Sequence, residues 1–136
     1  PSKCREYKGA EVKEITEAVR IKIDTILYTD TIVHMEGWSY VMHADNACYK
    51  RELILQDISG KVAGLRLSVF PKYRKDVEMQ FQDEKNIGLA GFVCHIPIEK
   101  LKENTKYIIG IMASARFSRQ KLYNEAEKML DTTGEL

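Results

Sequence analysis

The strongest constraint on this chain is the period of its hydrophobic pattern. From Ile21 to about Ala115, apolar residues recur at every second position. Ile21 and Ile23 bracket Lys22, Leu53 and Leu55 lie within Glu52–Gln56, and Leu65, Leu67 and Val69 flank Arg66 and Ser68. Val77, Met79 and Phe81 alternate with Glu78 and Gln80. Phe92, Cys94, Ile96 and Ile98 follow the same rule, and Tyr107, Ile109 and Ile111 end the series. Such alternation sends successive side chains to opposite faces of a strand. Turn-forming residues punctuate it at Asp30, Asp45-Asn46, Ser59-Gly60, Pro71, Asn86 and Glu103-Asn104. The spacing predicts an all-β fold, an antiparallel β-sandwich of immunoglobulin-like or jelly-roll-like type with about seven strands. No helical stretch lies between the segments to serve as a crossover, which argues against a parallel sheet.

Both ends read differently. Val12, Ile15 and Val19 stand at helical spacing, so residues 1–20 are expected to form a linker or short helix ahead of a sandwich over 21–115. Leu122, Ala126 and Met129, joined by Tyr123 and Leu130, predict a C-terminal helical tail over 116–136, with Ser118 as its N-cap. Within Ile32–His43, Val33 and Met35 share one parity while Trp38, Tyr40 and Met42 share the other. A β-bulge at Gly37 would reconcile them and send Val33, Met35, Trp38 and Tyr40 all inward.

Composition narrows the function. The chain has 136 residues, with 21 Lys+Arg against 20 Asp+Glu, a formal charge of +1. That balance gives no long-range pull toward nucleic acid, which is not expected as a partner. No apolar run approaches the roughly 18 residues of a membrane span, and Pro1–Glu6 lack the apolar core of a signal peptide. Cys4, Cys48 and Cys94 are odd in number and widely spaced, which suits free thiols in a reducing, cytoplasmic setting.

Motifs for chemistry are sparse. His34, His43 and His95 are scattered, and neither a C-x-x-C nor an H-E-x-x-H motif occurs, so no metal or other cofactor is expected. Cys94 and His95 are adjacent, but strand neighbours point to opposite faces and cannot pair directly; Cys94 reads as a buried, inert thiol. Asp45, Glu52, Asp57, Asp83 and Glu84 are plentiful acids whose mutual distances the sequence does not set. No Gly-rich phosphate loop or nucleophile elbow is present, nor a calcium loop. Trp38 and Tyr40 suit either an aromatic core anchor or a platform for stacking on sugars. Arg74 and Asp76 share a face of an extended strand, where they suit a mutual ion pair or an anion clamp centred on Arg74. Arg116, Arg119 and Lys121 form a basic cluster, read as a solvated face or as a contact for an acidic partner or lipid headgroups.

Several short motifs, taken in order, carry a family resemblance. They are Ile21-Lys22-Ile23-Asp24, Glu36-Gly37-Trp38, Leu53–Gln56, Tyr73-Arg74-Lys75-Asp76-Val77, Gly91-Phe92 with Ile96, and Tyr107-Ile108-Ile109. This series resembles the β-sandwich accessory domain attached to bacterial cell-envelope glycosyltransferases and to Gram-positive teichoic-acid glycerophosphotransferases. The resemblance covers residues 21 to 115. It implies a non-catalytic module that positions a larger enzyme or contacts its polymer, held through its parent at the inner face of the plasma membrane. The implied partners are the parent's catalytic domain, a glycan or envelope polymer, and a second copy of the chain. No catalytic residue carries over. Gly37, Trp38, Arg74, Asp76, Gly91 and Phe92 match the pattern, with an architectural role as the simplest one. The competing readings are an independent carbohydrate-binding module using Trp38 and Tyr40, and a small β-sandwich hydrolase.

Overall fold

Two antiparallel sheets face one another in the computed structural model, which describes residues 3–7 and 14–134. The strands are β1 (Cys4–Tyr7), β2 (Val19–Tyr28), β3 (Ile32–Val41), β4 (Tyr49–Asp57), β5 (Gly64–Ser68), β6 (Phe70–Lys72), β7 (Gly91–Pro97), β8 (Lys106–Ala115) and β9 (Lys121–Asp131). One helix, α1 (Lys75–Gln80), lies between β6 and β7. The five-stranded sheet runs β1-β5-β4-β8-β9 and the four-stranded sheet β2-β3-β7-β6. Setting β1 aside, β2-β3-β7-β6 against β5-β4-β8-β9 is the immunoglobulin strand order, with a C′-like strand at β5. The all-β sandwich expected from the alternation is the fold observed.

The core follows from strand parity. Val33, Met35, Phe92, Cys94 and Ile96 project from one sheet, and Leu53, Leu55, Leu67, Tyr107, Ile109 and Ile111 meet them from the other. Tyr107 is fully buried, yet its hydroxyl accepts the Lys102 backbone N–H at 3.0 Å, so its polar tip is satisfied. Each sheet also covers part of its outer face. Tyr7, Ile54, Met112 and Tyr123 cluster behind the five-stranded sheet. Behind the four-stranded sheet, Tyr40, Val77, Ile87 and Ala90 cluster with Trp38, Met42 and Phe81.

Five expectations change. The described residues form nine strands rather than about seven. The tail from Lys121 to Asp131 is strand β9, paired with β8, and not a helix. Leu122, Ala126 and Leu130 all face the core, but the intervening inward position at 124 holds Asn, whose amide Nδ2–H donates to the Val19 carbonyl at 2.7 Å. A register irregularity between Ile108 and Gly110 of β8 then adds residues on the β9 side. A polar inward residue and a bulge together imitate a period near four. Conversely, Val77–Phe81, expected as strand, belongs to α1 and its C-cap. Val77 and Phe81 are four apart and pack together behind the sheet, leaving Met79 exposed.

At the N-terminus, Cys4–Tyr7 is a strand on the β5 edge, residues 8–13 lie outside the described segments, and Ile15 forms a parallel bridge to Tyr123 at the β9 edge. The bulge expected at Gly37 lies instead on its partner. The register shifts between Ile23 and Thr25 of β2, so Asp24 is the extra residue, while β3 runs unbroken against β7. Val33, Met35, Gly37, Ser39 and Val41 therefore point into the sandwich, and Trp38 and Tyr40 point out beneath α1.

Candidate functional site

Two features converge at one end of the sandwich. They are a charged latch on the outer face of the four-stranded sheet and a cleft among the connecting loops. The latch begins with the β2 bulge, which turns Asp24 toward the segment preceding α1. Arg74 grips Asp76 in a bidentate pair, Nε to Oδ1 at 2.8 Å and Nη2 to Oδ2 at 2.7 Å, and its Nη1 reaches Asp24 at 2.8 Å. Gly91 makes room. A Cβ there would meet Cγ of Arg74 and the Lys72 carbonyl. The hydrogen bonds from Arg74 hold the Asp76 carboxyl down to about 2, and those to Asp76 and Asp24 raise the guanidinium further above its ordinary range. Trp38 pairs with Gly91 and Gly37 with Phe92 across β3 and β7. Thus Asp24, Gly37-Trp38, Arg74, Asp76-Val77 and Gly91-Phe92, scattered through the sequence, meet in one neighbourhood.

The Arg74 and Asp24 side chains are 24% and 29% exposed, low enough for their pair to count in stability. A double-mutant cycle on Arg74→Gln and Asp24→Asn, read by urea unfolding, is expected to give a coupling of about 1 kcal/mol. Coupling indistinguishable from zero would reduce the latch to a surface contact.

The aromatic pair sits beside the latch. Trp38 and Tyr40 lie nearly parallel with centroids 5.8 Å apart, and Phe81 tilts onto both at 5.4 and 5.1 Å. Tyr40 is only 4% exposed, so the two rings do not present a shared flat surface to solvent. The geometry favours an anchor for α1 over a sugar platform.

The cleft occupies about 760 Å³ between the β3–β4, β6–β7 and β8–β9 connections. At its floor lies Arg51, which the alternation of β4 directs inward with Leu53 and Leu55. Its guanidinium crosses to the opposite sheet. Nη1 donates to the Ala90 carbonyl at 2.6 Å and to the Ser39 carbonyl and Oγ at 3.0 and 3.1 Å, and Nη2 donates to the Leu89 carbonyl at 2.7 Å. Burial pushes the guanidinium down to about 10, which still leaves it charged at neutral pH.

Elsewhere several titratable groups are spent in structure. Glu52 accepts a bidentate pair from Arg66 at 2.9 and 2.7 Å. Asp57 caps the turn at Ser59–Val62, Asp45 caps Ala47 and holds Asn86, and Glu84 accepts the His43 backbone N–H. Cys94 is buried with Sγ 3.6 Å from the Ser68 carbonyl, on the face opposite His95, as strand parity requires. Among the described residues no cluster of three His, Cys, Asp or Glu side chains is placed to hold a metal ion, and no helix is long and apolar enough to cross a membrane.

Sequence reasoning missed Arg51 and the outward histidine pair. A cation at the inward parity of β4 was a legible signal for Arg51. The histidines come together only through the β3–β7 register, which pairs His34 with His95. Nε2–H of His34 faces Glu36 Oε2 at 3.1 Å, so its Nδ1 accepts the Nε2–H of His95 at 2.9 Å, and Lys72 holds the other Glu36 oxygen at 2.8 Å.

Desolvation first, and then the proximity of His34, lower the proton affinity of His95. The unfolded chain therefore takes up this proton at a higher pH than the folded one, and stability is lost as pH falls from about 6.5. Asp76 adds a second loss as pH falls from about 4 toward 2. Urea midpoints measured against pH are expected to fall in these two windows, with His95→Gln flattening the first and Asp76→Asn reducing the second, to which the lowered carboxyls of Glu36, Asp45, Glu52, Asp57 and Asp131 also contribute. A midpoint that rises on acidification would contradict both. No family model, curated protein or solved structure matches this chain.

Proposed function

We propose that this chain is a non-catalytic β-sandwich accessory module of a larger bacterial envelope glycosyltransferase or teichoic-acid glycerophosphotransferase, positioning that enzyme or contacting its polymer. The observation that supports this reading is the meeting of its motif residues in one latch. Asp24, Arg74 and Asp76 form a charge cluster, Gly37 and Gly91 make room for backbone and side chain, and Val77 and Trp38 seat α1. Residues scattered over four segments have one shared job, which is to fix the long β6–β7 connection against the sheet. In this reading the chemistry falls to another domain, and acids such as Glu52, Asp57 and Asp76 serve here in pairs and caps. The test is to read the complete coding frame and delete residues 21–115 in frame. A transferase domain in the same polypeptide is expected, with polymer output falling while hydrolysis of the donor substrate persists. A frame without a transferase, or unchanged polymer output after deletion, would refute the reading.

A further inference from the structure

We propose that the cleft at the loop-bearing end is a binding site for an oxyanion, a phosphate or carboxylate group on a small polar molecule or polymer unit, received by Arg51. This inference does not depend on the identity of the parent enzyme. The first observation is size. About 760 Å³ lies within the range of small-molecule sites, and the volume is bounded by both sheets and three connections.

The second is an uncompensated charge. Arg51 directs both amino groups at neutral acceptors, and no carboxylate among the described residues lies within ion-pair reach of it. Carbonyl dipoles offset part of the cost of burying a cation, but a formal positive charge remains at the cleft floor. The Nε–H has no acceptor among the described residues. Ser39 Oγ accepts from Arg51, so its own O–H remains available to donate. With both amino groups held by the carbonyls of Ser39, Leu89, Ala90 and Gly91, the single remaining guanidinium N–H beside a hydroxyl, on a buried positive charge, is the donor set offered to an oxyanion.

The third is the sign of the rim. Lys50 and Arg116 border the cleft, against a single acid, Glu78, which is engaged with the Tyr73 hydroxyl at 3.3 Å. The excess is positive, although the chain as a whole is nearly neutral.

The experiment is a titration of the ¹⁵N-labelled chain with inorganic phosphate, glycerol 3-phosphate and glucuronate, with glycerol and glucose as neutral controls. It follows the Arg51 Nε–Hε signal and the amides of Gly88 and Ala90. Saturable shifts at these positions with an anionic probe alone are expected, weakening as salt is raised. A stronger response to glycerol 3-phosphate identifies a phosphoester ligand, and a stronger response to glucuronate identifies a sugar acid. Ala47→Glu, at an exposed position bordering the cleft, adds a repelling carboxylate without touching the core and is expected to weaken binding about tenfold. Arg51→Lys keeps the charge but not the fork and serves as the second variant. Shifts that never saturate, equal responses to glucose, shifts confined to Arg119 and Lys121, or an Ala47→Glu protein that binds as well as the wild type would each overturn the site.

Discussion

Replacing Gly37 by alanine is expected to destabilise the protein by about 3 kcal/mol, a large share of the roughly 5–15 kcal/mol available to a domain of this size. The reason is local. Gly37 faces inward where β2 bulges toward it, and a Cβ would strike the Lys22 carbonyl and press on Cα of Ile23. These are backbone atoms, so no rotamer change relieves the overlap; β2 must move away from β3. That movement would also displace Asp24 from Arg74, coupling the loss of packing to the latch. Urea unfolding followed by Trp38 fluorescence would measure it. A change below about 0.5 kcal/mol would mean that β2 yields freely there and that glycine is not required.

Arg51→Leu is the second large effect, at about 3 kcal/mol. Leucine fits the apolar parity of β4, but it abandons the carbonyls of Ser39, Leu89 and Ala90 that the guanidinium now satisfies. Ala90 O keeps the Ser39 backbone N–H as a donor at 3.0 Å, which limits the penalty at that atom. The readout that separates this role from generic core damage is hydrogen exchange. Amides of residues 88–91 should exchange faster while those of β8 stay protected. Uniform acceleration across both sheets would assign Arg51 to global packing instead of to tying the β6–β7 connection.

How much of this was legible beforehand follows from what a single sequence records. Strands whose inward residues are uninterrupted, such as Leu65-Arg66-Leu67 and Phe92–Ile96, were readable because the pleat alone sets their period. β9 was not, since Asn124 occupies an inward position and pairs with a carbonyl of another strand, a contact that only the assembled sheets create. α1 was misread for the opposite reason. Six residues suit a helical or an extended period equally, and it is the outward pair Trp38 and Tyr40 that selects the helix. The latch residues were named individually from the motif pattern, and Arg74–Asp76 was expected to pair, but Asp24 as a third member required the bulge. The cleft depends on three loops meeting in space, which no local pattern encodes.

The path of the N-terminal segment has a practical consequence. The five-stranded sheet would otherwise end in open β5 and β9, yet β1 hydrogen-bonds along β5, and Thr16 N–H donates to the Tyr123 carbonyl of β9 at 2.8 Å. The opposite sheet ends in β2 on one side and, on the other, in β6, only three residues long with Pro71 at its centre. Lateral templating, by which exposed strand borders recruit other chains into aggregates, is thereby discouraged by the chain's own leading residues. Removing β1 and the Thr16 contact would uncover β5 and β9 and is expected to make the protein aggregate more readily.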